Sequence, residues 1–107
     1  MISTHILDTH VGMPAPGVEV TLDRKNGDSW ERVDTGITND DGRIAYNCPS
    51  VEGIYRLNFE IADYFQKKNQ DFFFVEVPII FQVKDTNRKY HVPLLLNPFG
   101  ISSYRGS

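Results

Sequence analysis

The stretch Tyr55-Arg56-Leu57-Asn58-Phe59-Glu60-Ile61 sets Tyr55, Leu57, Phe59 and Ile61 against Arg56, Asn58 and Glu60 at a strict period of two. Successive strand side chains point to opposite faces, so this run predicts a strand with one face on an apolar core. The same period sets Val18, Val20 and Leu22 against Glu19, Thr21 and Asp23. It recurs in Val75, Val77, Ile79, Phe81 and Val83, where Ile80 interrupts it. Turn-forming clusters separate the runs: Gly12-Met13-Pro14, Asn26-Gly27-Asp28, Asn39-Asp40-Asp41-Gly42, Glu52-Gly53 and Asp85-Thr86-Asn87. The pattern predicts strands at 2–8, 16–24, 29–37, 43–46, 54–61, 74–83, 88–96 and 99–105, and a helix only from Ala62 to Asn69. Short strands at this regular spacing predict an all-β fold, a two-sheet antiparallel sandwich with one short helix.

A chain of 107 residues, without a Pro-, Gly- or Ser-rich linker or an internal repeat, fits a single domain spanning 1–107. A domain this short buries a modest share of its surface, which makes oligomerisation an easy source of further stability. With 40% hydrophobic and 23% charged residues the composition is that of a soluble globular protein. A net charge of −3 leaves no basic stripe for nucleic acid. No apolar run approaches the roughly 20 residues needed to cross a bilayer. Met1-Ile2-Ser3-Thr4-His5 is expected to enter a strand at once, so no signal peptide is expected, and Arg105-Gly106-Ser107 does not read as a peroxisomal address. Cys48 is the only cysteine, which rules out an internal disulfide. Beside Pro49 and Ser50 it is expected in a loop as an incidental thiol, and a reducing cytoplasm is the simplest compartment.

Alternation also sorts the polar residues. If Tyr90, Val92 and Leu94 fill the core, then His91, Pro93 and Leu95 face outward. Near the start, Ser3, His5 and Leu7 share the face opposite Thr4 and Ile6, and further on Ser102, Tyr104 and Gly106 share a face. His5, Leu7, His91, Pro93, Leu95 and Tyr104 can therefore occupy one outward face, too apolar to be left in water and suited to burial against a second subunit. Histidine titrates near neutral pH, so His5 and His91 are the first candidates for proton transfer. A lone strand histidine is ordinarily satisfied by a neighbouring carbonyl; two on one face are a stronger signal. His10, in the turn before Gly12, is expected to be solvated. Lys67, Lys68, Arg88 and Lys89 are expected as solvated charges, and Asp8 as a strand-end or turn ligand.

The last four residues, Tyr104-Arg105-Gly106-Ser107, place a phenol, a guanidinium, a glycine and a hydroxyl where a chain is usually least ordered. Taken with Ser3-Thr4-His5-Ile6-Leu7-Asp8, Asp41-Gly42-Arg43-Ile44 and Tyr90-His91-Val92-Pro93-Leu94-Leu95-Leu96, this ending resembles the transthyretin-related 5-hydroxyisourate hydrolases of purine breakdown. The resemblance runs from about Ile2 to Ser107. It implies a transthyretin-like, immunoglobulin-like sandwich and a homotetramer, a dimer of dimers with active sites between facing sheets. It also supplies the adjacency of the three outward-facing strands, which periodicity cannot. The implied reaction opens the six-membered ring of 5-hydroxyisourate at an amide bond to give the ureidoimidazoline carboxylate. His5 and His91 would orient and deprotonate water and return the proton, with the choice of base left open. Arg43 would hold the ring and stabilise developing negative charge, a task suited to its planar fork of donors. Tyr104, Arg105, Gly106 and Ser107 would complete the substrate pocket, although Arg105 could instead brace the tail.

Other chemistries fit less well. Ser107 lacks the rigid turn and the Gly-x-Ser-x-Gly setting of a serine nucleophile, so hydrogen bonding to substrate or water is its expected part. Two histidines without a third ligand at a sensible spacing make no zinc site, and neither a metal nor another cofactor is expected. A carrier role like that of transthyretin itself favours aliphatic and small residues where this chain has His5, His91 and the Tyr-Arg-Gly-Ser ending. A generic immunoglobulin-like adhesion module has no need of paired histidines on one face.

Overall fold

The expected alternation governs the central strand of one sheet. In a computed structural model describing residues 1–47 and 51–107, Tyr55, Leu57 and Phe59 of the strand Gly53–Glu60 are buried. Arg56 and Asn58 are turned out towards the solvent side. Cys48, with the loop expected around it, lies outside the described residues. In chain order the strands are β1 (Ile2–Asp8), β2 (Met13–Pro14), β3 (Glu19–Asn26), β4 (Ser29–Ile37), β5 (Arg43–Tyr46), β6 (Gly53–Glu60), β7 (Glu76–Val83), β8 (Tyr90–His91), β9 (Leu94–Asn97) and β10 (Gly100–Ser103). The helix α1 (Ala62–Lys67) lies between β6 and β7. No helix among the described residues is long and apolar enough to cross a membrane.

The strands form two sheets. One runs β4-β3-β6-β7 and is antiparallel throughout. The other has six strands in the path β10-β9-β1-β2, with β5 and β8 also paired to β1. Between them lies one core, including Ile6, Val20, Leu22, Leu57, Phe59 and Leu94. Tyr46 of β5 crosses it, its hydroxyl donating to the Val20 carbonyl of the opposite sheet.

The second sheet departs from a purely antiparallel sandwich. β1 pairs in parallel with β8, placing Ser3 beside His91, and with β9, placing Leu7 beside Leu95. The strand expected over 88–96 is split at Val92-Pro93, where proline lacks the N–H a continuous ladder needs. The gap is sewn to β1 instead: Val92 N–H donates to the Ser3 carbonyl at 2.9 Å, and the Thr4 hydroxyl donates to the Val92 carbonyl at 2.6 Å. Pro93 is buried, not outward as alternation implied. The strand expected over 16–24 begins at Glu19, and that over 99–105 ends at Ser103.

The helix α1 is tied down by a buried carboxylate. Tyr64 donates to Oδ2 of Asp8 at 2.7 Å, Lys68 Nζ reaches the same oxygen at 3.2 Å, and the His10 amide donates to Oδ1 at 3.0 Å. Lys68, expected as a solvated charge, thus pairs with a group that is 1% exposed. His10 is exposed in the turn after β1, as expected. Burial works to raise the Asp8 carboxyl, but the hydrogen bonds from Tyr64 and Lys68, the Lys68 charge and the His10 amide together hold it below its ordinary value of 3.8. The stability this provides is complete above that pH and is lost as pH falls through the lower folded value. Asp8→Ala should therefore cost about 2 kcal/mol at neutral pH, the scale for orphaning buried donors. Urea titrations of wild type and variant should converge in acid; equal midpoints at pH 7 would contradict the role.

Candidate active site

Each side chain of the site is placed by a neighbour that is buried. Thr4, Ile6 and Asp8 point into the core, so Ser3, His5 and Leu7 emerge on the outer face of β1. β5 pairs antiparallel with β1, with His5 opposite Arg43 and Ser3 opposite Ala45. Residues directly opposite share a face with their Cβ atoms about 5 Å apart. On the other side of β1, His91 of β8 stands beside Ser3. Ser3, His5, Arg43 and His91 therefore occupy one patch on three adjoining strands.

Arg43 is delivered there by a turn that glycine alone can make. Gly42 has φ +71°, and a Cβ on it would lie 2.5 Å from the Ile6 carbonyl oxygen. The close approach lets the Gly42 carbonyl accept from Ile6 N–H at 2.8 Å, locking the turn to β1. Asn39 Oδ1 accepts from the amides of Asp41 and Arg43, both at 3.0 Å.

His91 is the most constrained member. Its Nδ1 lies 2.8 Å from the Ser3 hydroxyl, and its carbonyl accepts from Gly106 N–H at 2.8 Å. Burial lowers its pKa from the ordinary 6.5, and the Arg43 and His5 charges lower it further, against a hydrogen bond from the ring to the Ser3 backbone that works to raise it. The shift favours the neutral imidazole, the form able to accept a proton. Gly106 packs so closely that a Cβ there would sit 2.6 Å from Cδ2 of His91 and 3.2 Å from Cγ of Pro93. Gly106→Val must therefore displace either the ring or the 104–107 segment. We expect it to lower turnover by up to about 10²-fold, the effect of ångström-scale misplacement, with little change in the thermal midpoint. Wild-type turnover in this variant would mean that the contact is incidental.

Two cavities flank His91. One, of about 470 Å³, is lined by Ser3, Asn39, Arg43, Lys89, His91 and Ser107, among others. The other, of about 500 Å³, is lined by Phe81, Tyr90, Val92, Ile101, Tyr104 and Arg105 besides His91. The tail is thus divided. Ser107 reaches the cleft with Arg43, whereas Tyr104 and Arg105 stand on the far side of His91. Tyr104 lines the second cavity and not the one holding Arg43, and β10, with its regular alternation, ends before it at Ser103. The Arg105 guanidinium lies 4.8 Å over the ring of Tyr90. Ser3, Asn39 and Lys89 are among the cleft residues that carried no functional assignment from the sequence. Ser3 was detectable as the face-mate of His5 two residues on, whereas Asn39 and Lys89 gave no local signal. Among the described residues there is no group of three or more His, Cys, Asp or Glu able to hold a metal ion.

The molecule is therefore a transthyretin-type β-sandwich whose mixed sheet carries a cleft lined by His91 and Arg43, with His5 opposite Arg43 on the same face. Residues 2–106 match the HIUase/Transthyretin family. The chain belongs to that family. It is 47% identical over 110 residues to a 5-hydroxyisourate hydrolase of Salmonella typhimurium, covering 100% of this chain and 81% of the relative. The structure of Klebsiella pneumoniae 5-hydroxyisourate hydrolase superposes with a TM-score of 0.87 at 37% identity, covering 99% of this chain and 98% of the other. Sea bream transthyretin in complex with thyroxine superposes with a TM-score of 0.90 at 27% identity, covering 98% and 93%.

Proposed function

We infer that this protein is a 5-hydroxyisourate hydrolase of urate and purine degradation, yielding 2-oxo-4-hydroxy-4-carboxy-5-ureidoimidazoline by a metal-independent route. The observation that carries the assignment is the convergence of His5, Arg43 and His91 on one outer face. In this scheme a neutral imidazole takes a proton from water as the oxygen bonds to the ring carbonyl. Arg43 stabilises the oxyanion that forms. Collapse breaks the carbon–nitrogen bond, and the imidazolium returns the proton to the departing nitrogen. The place of His91 on the cleft wall, with its Nδ1 engaged by Ser3, favours it as the base, with His5 orienting the water. Ser107 hydrogen-bonds substrate or water from the rim, and Gly106 keeps the tail against His91. Tyr104 and Arg105 shape the pocket from the other side of that ring.

A thyroxine-type carrier is the second reading, favoured by the fold shared with sea bream transthyretin. A guanidinium and two imidazoles are poorly suited to an apolar cargo, which weighs against it. Addition of purified protein to freshly generated 5-hydroxyisourate, with ultraviolet decay followed against the spontaneous rate, separates the two. Acceleration is expected; a rate equal to the spontaneous one would overturn the hydrolase assignment.

The active form is proposed to be a homotetramer, a dimer of dimers, acting in the cytoplasm as one domain spanning 1–107. Leu7 and Leu95 are paired and only half-buried on the outer face beside the cleft, and Phe73, Val75, Ile80, Phe99, Ile101 and Tyr104 stand exposed on or near the edge strands β7 and β10. Apolar surface of this extent favours closed, symmetric association. Leu95→Arg should dissociate the assembly and reduce activity with it, because a contact formed there would bury an unpaired charge. Sedimentation of a fully active monomer, from wild type or variant, would sink the proposal.

A further inference from the structure

We propose that Ser3 is a positioning residue for this reaction: its hydroxyl, 2.8 Å from Nδ1 of His91, holds the imidazole so that Nε2 is the atom exchanging protons with water in the cleft. The inference rests on His91 having the proton-transfer role given above. A histidine that works through one ring nitrogen needs the other engaged, since the partner sets both tautomer and ring orientation. Ser3 is suited to this because a hydroxyl can accept from Nδ1–H whether or not Nε2 carries a proton. The contact therefore survives both halves of a proton-transfer cycle. Gly106 closes off the ring at Cδ2, so rotation of the imidazole is restrained from two sides.

A structural role for the hydroxyl is separable from this one. The backbone of β1 is already held to the Val92 peptide by the Ser3 carbonyl and the Thr4 hydroxyl, and neither bond involves Ser3 Oγ. A serine here also differs from a carboxylate in effect. An anion at Nδ1 would raise the basicity of His91, whereas a neutral hydroxyl leaves the lowering by burial, Arg43 and His5 in place. Ser3 and His5 lie two residues apart on one face of β1. One short segment thus presents the first imidazole and orients the second.

The test is a comparison of wild type, Ser3→Ala and Ser3→Thr, read by steady-state kinetics and by ¹⁵N NMR of the His91 ring without substrate. In wild type the ring should show an unprotonated Nε2. Ser3→Ala should lower kcat by about tenfold to a hundredfold, the range seen when an orienting partner of a metal-bound imidazole is lost, and should mix the two tautomers. KM should change much less than kcat, and Ser3→Thr should recover both the rate and the spectrum. Ser3→Val serves as a shape-matched partner to Ser3→Thr should the alanine variant fold poorly. An unaltered His91 spectrum together with wild-type kcat in Ser3→Ala or Ser3→Val would overturn the proposal. The substrate-free NMR arm responds to Ser3 even if 5-hydroxyisourate proves not to be the substrate, so the two failures are distinguishable.

Discussion

His91→Asn should lower the catalysed hydrolysis of 5-hydroxyisourate by about 10²- to 10⁴-fold, the usual contribution of a positioned acid–base group. Asparagine keeps polarity near the ring position but cannot take up a proton. The fold should survive, because the neighbours that anchor this stretch, Tyr90 and Val92, face the core and are unchanged. The wild-type profile carries a second signature. Burial first, then the Arg43 and His5 charges, place His91 below its ordinary 6.5, so kcat/KM should fall only as pH drops beneath that value. Protonation removes the base, which makes the loss an acid limb. The remaining activity of His91→Asn should lack it. His5→Asn should also be impaired by at least about 10²-fold, but as the orienting partner it should keep an acid limb from His91. Near wild-type turnover in His91→Asn would remove this residue from the chemistry.

Deletion of Tyr104-Arg105-Gly106-Ser107 should be comparably damaging, with a loss on the order of 10²-fold or more, since misplacement by an ångström is worth about that much. The segment gives up four things at once. Ser107 leaves the cleft, the Gly106 amide no longer holds the His91 carbonyl, the packing against Cδ2 disappears, and Arg105 vacates the ring of Tyr90. None of the four residues belongs to the buried core, so circular dichroism and the thermal midpoint should change little. A tag is a poorer probe than truncation, because Met1 lines the same cleft as Ser107 and fusion at either end would disturb it. A truncated protein that keeps full activity would show that the tail is only frayed chain.

Much of this arrangement was legible in the residues alone. A period of two is a local property, imposed by the geometry of each strand, so the faces of β1 and β6 follow directly from Thr4-His5-Ile6 and from Leu57-Asn58-Phe59. That locality is also why His5 and His91 could be assigned outward before any strand had a neighbour. Neighbours are a different matter. The parallel pairing that brings Ser3 to His91, and the antiparallel one that brings Arg43 to His5, join residues distant in the chain, and periodicity contains no information about either. Alternation also fails wherever regular strand stops. Beyond Ser103 the tail follows the close approach of Gly106 to His91, and Tyr104 and Arg105 part company with Ser107. Lys68 became the partner of Asp8 for the same kind of reason: folding removed the carboxylate from water, and a buried charge needs a counter-ion that only the tertiary structure could bring.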